Sequence, residues 1–249
     1  MATFADIEAV LFDLGGTLVD YPVPSWPVLA GRCARGVLSG MVVGSEGRLP
    51  PATEVPGPDE AQSRRRAPGP DTPVAHRVMA ALRRVVRSVS GRTLPNMGEM
   101  CFRPLMARGR LFDDTLPALR ALRGRGYRLG LVSNTPWGTP DYLWGSQLER
   151  FHLAPLFEVA CFSSEVGFRK PDPRVFHAAL DRLGVGPERA FFVGDDTGAD
   201  IVGAAGLGMR CALIRRPGHE LPAGPAAPDL SITSLAELLD VLPGRDQKP

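Results

Sequence analysis

Cysteine is scarce and dispersed in this chain. Four residues, Cys33, Cys101, Cys161 and Cys211, stand far apart and none forms a CxxC pair. That argues against a zinc site or dithiol redox pair and predicts free thiols in a reducing compartment. Excess charge is missing too. The 29 Lys and Arg residues against 27 Asp and Glu leave a net charge of +2, so neither nucleic acid nor an anionic membrane is expected as the main partner. No apolar run is long enough to span a bilayer. The N-terminal MATFADIEAVLFDLGG has acids, not a basic region, ahead of its apolar run. No signal peptide is expected, and the chain reads as cytoplasmic. His76, His152, His177 and His219 are scattered without ligand spacing, and there is no internal repeat.

What is present is a series of short apolar runs: EAVLFD at 8–13, YRLGLVS at 127–133, EVACFS at 158–163, AFFVGD at 190–195 and RCALIR at 210–215. They are rich in Val, Leu, Phe and Ile and alternate little, as strands covered on both faces do. Helical patterns lie between the later ones. Leu116, Leu119 and Leu122 share one face. So do Val175, Phe176, Ala179, Leu180 and Leu183, with Gly184 as a stop. Strands alternating with helices predict an α/β fold with a Rossmann-like parallel sheet core. Residues 1–20 and 110–243 make up that core, and 244–249 a polar tail.

Residues 21–109 break the pattern. They hold helical patches at Val28–Val43 and Val74–Val89 and no convincing strand. Between these, 44–73 is about one-third Pro and Gly with few large apolar residues. A mobile segment is expected there, since so little surface can be buried. Its Arg64-Arg65-Arg66 run reads as a solvated charge cluster. A mainly helical insertion directly after the first strand would sit as a lid over the carboxyl edge of the sheet, where open α/β sheets bind ligands.

Polar residues collect at that edge. Asp13 ends the first strand and is followed by Gly15, Gly16 and Thr17. Ser133 and Asn134 end the second. Arg169-Lys170-Pro171-Asp172-Pro173 follows the third. Gly194-Asp195-Asp196, with Asp200 beyond, ends the fourth. This ordered set of DLGGT, SN, RKPDP and GDDTGAD resembles the haloacid dehalogenase (HAD) superfamily, most of whose members are phosphatases. The resemblance covers about 1–20 and 110–220, and the inserted block looks like the family's C1-type cap. It implies Asp13 as a nucleophile that forms an aspartyl-phosphate and Lys170 as the charge that steadies it. It implies Mg²⁺ held by Asp13, the carbonyl of Gly15 and Asp195, with Asp196 and Asp200 as a further ligand or support. Thr17, Ser133 and the Asn134 N–H would bind phosphate oxygens. The implied partner is a small phosphorylated metabolite, acted on by a monomer or weak homodimer.

One position departs from the family pattern. HAD phosphatases usually carry a second Asp two residues after the nucleophile, which protonates the leaving group and later activates water. Here that position is Gly15. Such acid–base help is typically worth about 10²–10⁴ in rate. Three readings follow: a Mg²⁺-dependent phosphatase whose leaving group, substrate or cap replaces the acid; a non-catalytic binding or regulatory protein on a HAD scaffold; or a metal-independent 2-haloacid dehalogenase, against which Asp195, Asp196 and Asp200 argue. Asp20 is a candidate replacement acid, though a hinge or turn role suits its place better. Trp137, Tyr142 and Trp144 follow the second motif and read as helix-packing residues with pocket lining as the alternative.

Overall fold

The computed structural model describes residues 4–21, 106–135, 141–217 and 226–244. The helical patches at 28–43 and 74–89, the Pro/Gly-rich segment at 44–73, the arginine run, Trp137 and nearly all of the tail lie outside these residues. Eight strands run in chain order: β1 (Ala9–Phe12), β2 (Val19–Asp20), β3 (Arg110–Leu111), β4 (Arg128–Ser133), β5 (Val159–Phe162), β6 (Ala190–Gly194), β7 (Arg210–Ile214) and β8 (Leu230–Ile232). Six of them form one sheet in the order β5-β4-β1-β6-β7-β8, and every pairing in it is parallel. β2 and β3 pair as a small antiparallel ribbon, with Val19 opposite Leu111 and Asp20 opposite Arg110.

The five strands expected from the apolar runs match β1, β4, β5, β6 and β7 to within a residue or two. β1 and β6 are central and buried throughout. Their alternate side chains enter two separate cores. Val10, Phe12, Phe191 and Val193 face one, while Ala9, Leu11, Phe192 and Ala190 face the other. Covered on both sides, such strands have no polar face to show, which is why their sequences do not alternate. β8 is the strand of the six-stranded sheet that the apolar pattern missed. It is a three-residue edge strand whose middle residue, Ser231, is exposed.

A helix covers each face. The first, α1 (Thr115–Gly124), buries Ala118, Leu119 and Leu122 in one core. Another, Pro173–Leu183, buries Val175, Phe176, Ala179, Leu180 and Leu183 in the other. Asp172 caps it by accepting from the Arg174 N–H at 3.0 Å, and Gly184 ends it at φ 62°. Among the described residues no helix is long and apolar enough to cross a membrane.

The turn after β1 is tied to distant parts of the chain. Arg216, 5% exposed, donates to the Thr17 carbonyl through Nη2 at 2.9 Å and to both Asp114 carboxylate oxygens at 2.8 Å. Its guanidinium lies 4.1 Å over the Phe112 ring. Asp114 also accepts from the Ser234 hydroxyl and the Leu235 N–H, each at 2.8 Å. Burial disfavours the Asp114 charge, but the hydrogen bonds from Arg216, Leu235 and Ser234 outweigh it and hold the carboxyl below its usual range. The neighbouring Leu18 carbonyl accepts from the Thr115 hydroxyl at 2.8 Å. Replacing Arg216 with Met leaves the Asp114 carboxylate partly buried without its cation. It should cost about 3 kcal/mol of stability, read as a lower urea midpoint with an unchanged m-value.

Candidate active site

The parallel sheet brings the carboxyl ends of β4, β1 and β6 side by side, and the loop after β5 reaches across to them. At their centre is Lys170, 2% exposed. Its ammonium donates to Asp13 Oδ1 at 2.5 Å and to the Val132 carbonyl at 2.8 Å. It also stands 2.7 Å from Asp200 Oδ1. Two of the three ammonium protons thus have hydrogen-bond acceptors, and the Asp200 carboxylate stands beside them as an ion-pair partner. The face of Phe192 lies 5.4 Å from Nζ. Burial disfavours the Lys170 charge, but the carboxylates of Asp13 and Asp200 more than offset this and raise its pKa. The side chain is a fixed cation.

The backbone of Lys170 is held as firmly as its tip. The Asn134 side chain accepts from the Lys170 N–H at 2.9 Å and donates to the Lys170 carbonyl at 3.2 Å. The Asn134 side chain therefore clamps the lysine loop to the end of β4. Next to it, the Thr135 N–H donates to the Ser163 hydroxyl at 2.8 Å.

Asp13, Asp195 and Asp200 bring carboxylate oxygens within 4.8 Å of one another. Two glycines make this approach possible. Gly16 lies at φ 83°, and a Cβ on it would stand 2.1 Å from Asp195 Oδ2. A Cβ on Gly194 would stand 2.2 Å from Asp200 Oδ2. Asp200 Oδ2 also accepts from the Asp196 N–H at 3.1 Å. Burial raises the pKa of Asp195, and the charges of Asp13 and Asp200 raise it further. Burial raises that of Asp200 as well, with Lys170 opposing and Asp13 adding to the effect.

Fully ionised, three carboxylates against one ammonium would leave two uncompensated negative charges in a buried space. That donor set, all oxygen and doubly negative, fits a hard divalent cation such as Mg²⁺. Asp13 and Asp195, with Asp200 beside them, are the side chains that could hold one.

The other residues singled out from the sequence fall into place unevenly. Ser133 ends β4 and is buried. The Thr17 hydroxyl points at Asp195 Oδ1, at 3.4 Å. Gly15 is in the turn directly after Asp13 and Leu14. Asp196 is not part of the carboxylate group. Its Oδ1 accepts from the Gly198 and Ala199 N–H groups at 2.7 and 2.9 Å, so it caps the helical turn that carries Asp200. Trp144 packs edge-on to Tyr21 at 5.9 Å, while Tyr142 is exposed. Sequence reasoning passed over Arg216, Asp114 and Tyr21. The first two belong to no short motif and meet across 102 positions. Tyr21 was hidden by its place just past the first motif.

A family model for haloacid dehalogenase-like hydrolases matches residues 7–208. The chain belongs to that family. Among its relatives is the glyceraldehyde 3-phosphate phosphatase of Methanopyrus kandleri, 37% identical over 134 residues that cover 53% of this chain and 56% of that one. The phosphoserine phosphatase of Thermus thermophilus is 38% identical over 128 residues, 51% and 49% of the two chains. The chain thus spans about half the length of the curated relatives it matches. The crystal structure of a HAD phosphatase from Thermococcus onnurineus shares the fold with a TM-score of 0.62 at 23% identity, covering 96% of this chain and 99% of that one.

The carboxylate group sets a sign for metal dependence. A carboxyl whose pKa is higher in the folded than in the unfolded protein contributes stability at low pH that is lost as pH rises. In EDTA, Asp195 and Asp200 should therefore lower stability as pH climbs from about 4, the ordinary aspartate range, through neutrality. Mg²⁺ binds the deprotonated carboxylates, so its stabilising effect should grow over the same range. Melting temperatures with Mg²⁺ minus those with EDTA, taken across the pH range, check this. A difference that is flat or shrinks with pH contradicts it.

Proposed function

We propose that this chain is a Mg²⁺-dependent phosphatase that removes phosphate from a small phosphorylated metabolite through an aspartyl-phosphate on Asp13. The observation that carries the reading is the buried Lys170 cation ion-paired at once with Asp13 and Asp200. One Asp13 oxygen is fixed against Lys170, which orients the carboxylate. The other oxygen attacks phosphorus, and the bond from phosphorus to the leaving oxygen breaks with its electron pair going to that oxygen. Water then attacks the aspartyl-phosphate, releasing inorganic phosphate and restoring the Asp13 carboxylate. Ser133, the Asn134 N–H and Thr17 serve the phosphate oxygens as hydrogen-bond donors. A bound Mg²⁺, held by Asp13, the Gly15 carbonyl and Asp195 with Asp200 in support, would supply Lewis-acid polarisation of the phosphoryl group.

The relatives named above act on glyceraldehyde 3-phosphate and phosphoserine, and substrates of similar size suit a site of this kind. We place the protein in the cytoplasm. Gly15 supports a narrower version of the reading, in which the leaving groups turned over best are those that depart readily as anions. Release of chloride from 2-haloacids without metal would move the assignment to a dehalogenase.

A panel of phosphate esters and acyl phosphates, run with Mg²⁺ and with EDTA, tests the proposal. Turnover is expected only with metal. Asp13→Asn should lower kcat by at least about 10⁴-fold, as loss of a nucleophile does. Folded protein with no turnover on any member would favour a binding protein on this scaffold. An Asp13→Asn variant that keeps its activity would rule out the aspartyl-phosphate.

A further inference from the structure

Asp196 joins the end of β6 to the helical turn that carries Asp200. Its backbone stands at φ −96° and ψ 112°, the extended conformation of a residue that caps a helix start. Its side chain and both its backbone polar groups are engaged with that turn. Oδ1 accepts from the Gly198 N–H at 2.7 Å and the Ala199 N–H at 2.9 Å. The carbonyl accepts from the Asp200 N–H at 2.8 Å and the Ile201 N–H at 3.3 Å. The Ile201 bond spans one residue more than an α-helical bond does, so the turn is widened. The Asp196 N–H donates to Asp200 Oδ2 at 3.1 Å.

These bonds decide where the Asp200 carboxylate stands. Oδ2 takes the Asp196 N–H, and it fills the place of a Gly194 Cβ, which would stand 2.2 Å away. Oδ1 is left to face the Lys170 ammonium at 2.7 Å. The N–H concerned belongs to the peptide between Asp195 and Asp196. The unit that presents one member of the carboxylate group therefore also holds another. The Asp196 side chain secures that peptide to the turn. By accepting free N–H groups at the start of the turn, it locks the turn to residue 196.

We propose that Asp196 is a positioning residue for the cation site: its side chain caps the turn, and the capped turn aims the Asp195 and Asp200 carboxylates toward Asp13. What the site draws from residue 196 is a hydrogen-bond acceptor at the start of the turn, not a negative charge. The inference rests on the Mg²⁺ site of the reading above. Asp, Asn and Ser all cap helices well and Ala does not, but of the four only Asp brings a charge. Cap and ligand can therefore be told apart by substitution.

Isothermal titration calorimetry of the substrate-free protein with Mg²⁺ compares wild type with Asp196→Asn, Asp196→Ser and Asp196→Ala. Asn and Ser should keep the dissociation constant within about threefold of wild type, because the cap survives. Ala should raise it at least about tenfold, as is usual when a residue that orients a metal ligand is lost. Each variant is titrated well below its melting temperature, so a lost cap that only lowers stability leaves the dissociation constant unchanged. Weakening by Asn and Ser as large as that by Ala makes Asp196 a direct ligand and overturns the inference. An Ala variant within threefold of wild type overturns it as well. If the Ala variant does not fold, the Asn and Ser titrations still decide between cap and charge. Wild-type protein that binds no Mg²⁺ overturns the metal site itself, and this inference with it.

Discussion

A buried ammonium must be partnered or give up its charge. Lys170 is held by three oxygens drawn from three places: it donates to Asp13 after β1 and to the Val132 carbonyl in β4, and it pairs electrostatically with Asp200 after β6. Much of the structure follows from it. The three oxygens come together only if β4, β1 and β6 are neighbours and parallel, which is the order of the sheet. The lysine comes from the loop after β5, so that loop must cross the end of β4. The Asn134 side chain is what holds it there, through both the N–H and the carbonyl of Lys170. Taking away the ammonium would leave three crowded carboxylates with nothing to balance them.

The glycines of the first motif do different work although they are adjacent. Gly16 is imposed by its backbone, at φ 83°, and by the Asp195 carboxylate that fills the place of its Cβ. Gly194 makes the same room for Asp200. Gly15 is under neither constraint. Its backbone is not left-handed, and a Cβ there would find ordinary contact with the Tyr21 ring. A side chain at 15 is therefore not forbidden by the turn. What the chain has instead is a ring held in place by a second glycine at 109, where a Cβ would collide outright.

How much of this was legible in the sequence depended on the range of the interaction. β1 and β6 were readable because burial on both faces leaves continuous apolar runs. The helix Pro173–Leu183 was readable because its five buried residues fall on one face and Gly184 stops it. β8 was not, since a short edge strand with an exposed serine carries no such run. Nor were β2 and β3, which are two residues each. Motif order put Asp13, Lys170, Asp195 and Asp200 at one edge, and they lie there. It also grouped Asp196 with them, but an acid followed by Thr-Gly-Ala can satisfy the free N–H groups of the next turn, and that local geometry claimed the side chain. The Arg216–Asp114 pair had no local signal at all, because its partners are joined only by the fold.

These differences divide the site by the kind of constraint each residue answers. Lys170 and the three carboxylates deal with charge, and charge balance in a dry space admits few solutions, so the residue types can be read from a pattern. Leaving-group departure is a weaker demand. A carboxylic acid, a phenol, a substrate hydroxyl or no donor at all can meet it, depending on how stable the departing anion is. Gly15 changes only that second demand. Its carbonyl, the one atom asked of it in metal binding, is unaffected by the missing side chain. The charge-handling part of the site can therefore be whole without a side chain at position 15. In this chain the Tyr21 ring packs against that position, and the same ring also touches Gly109.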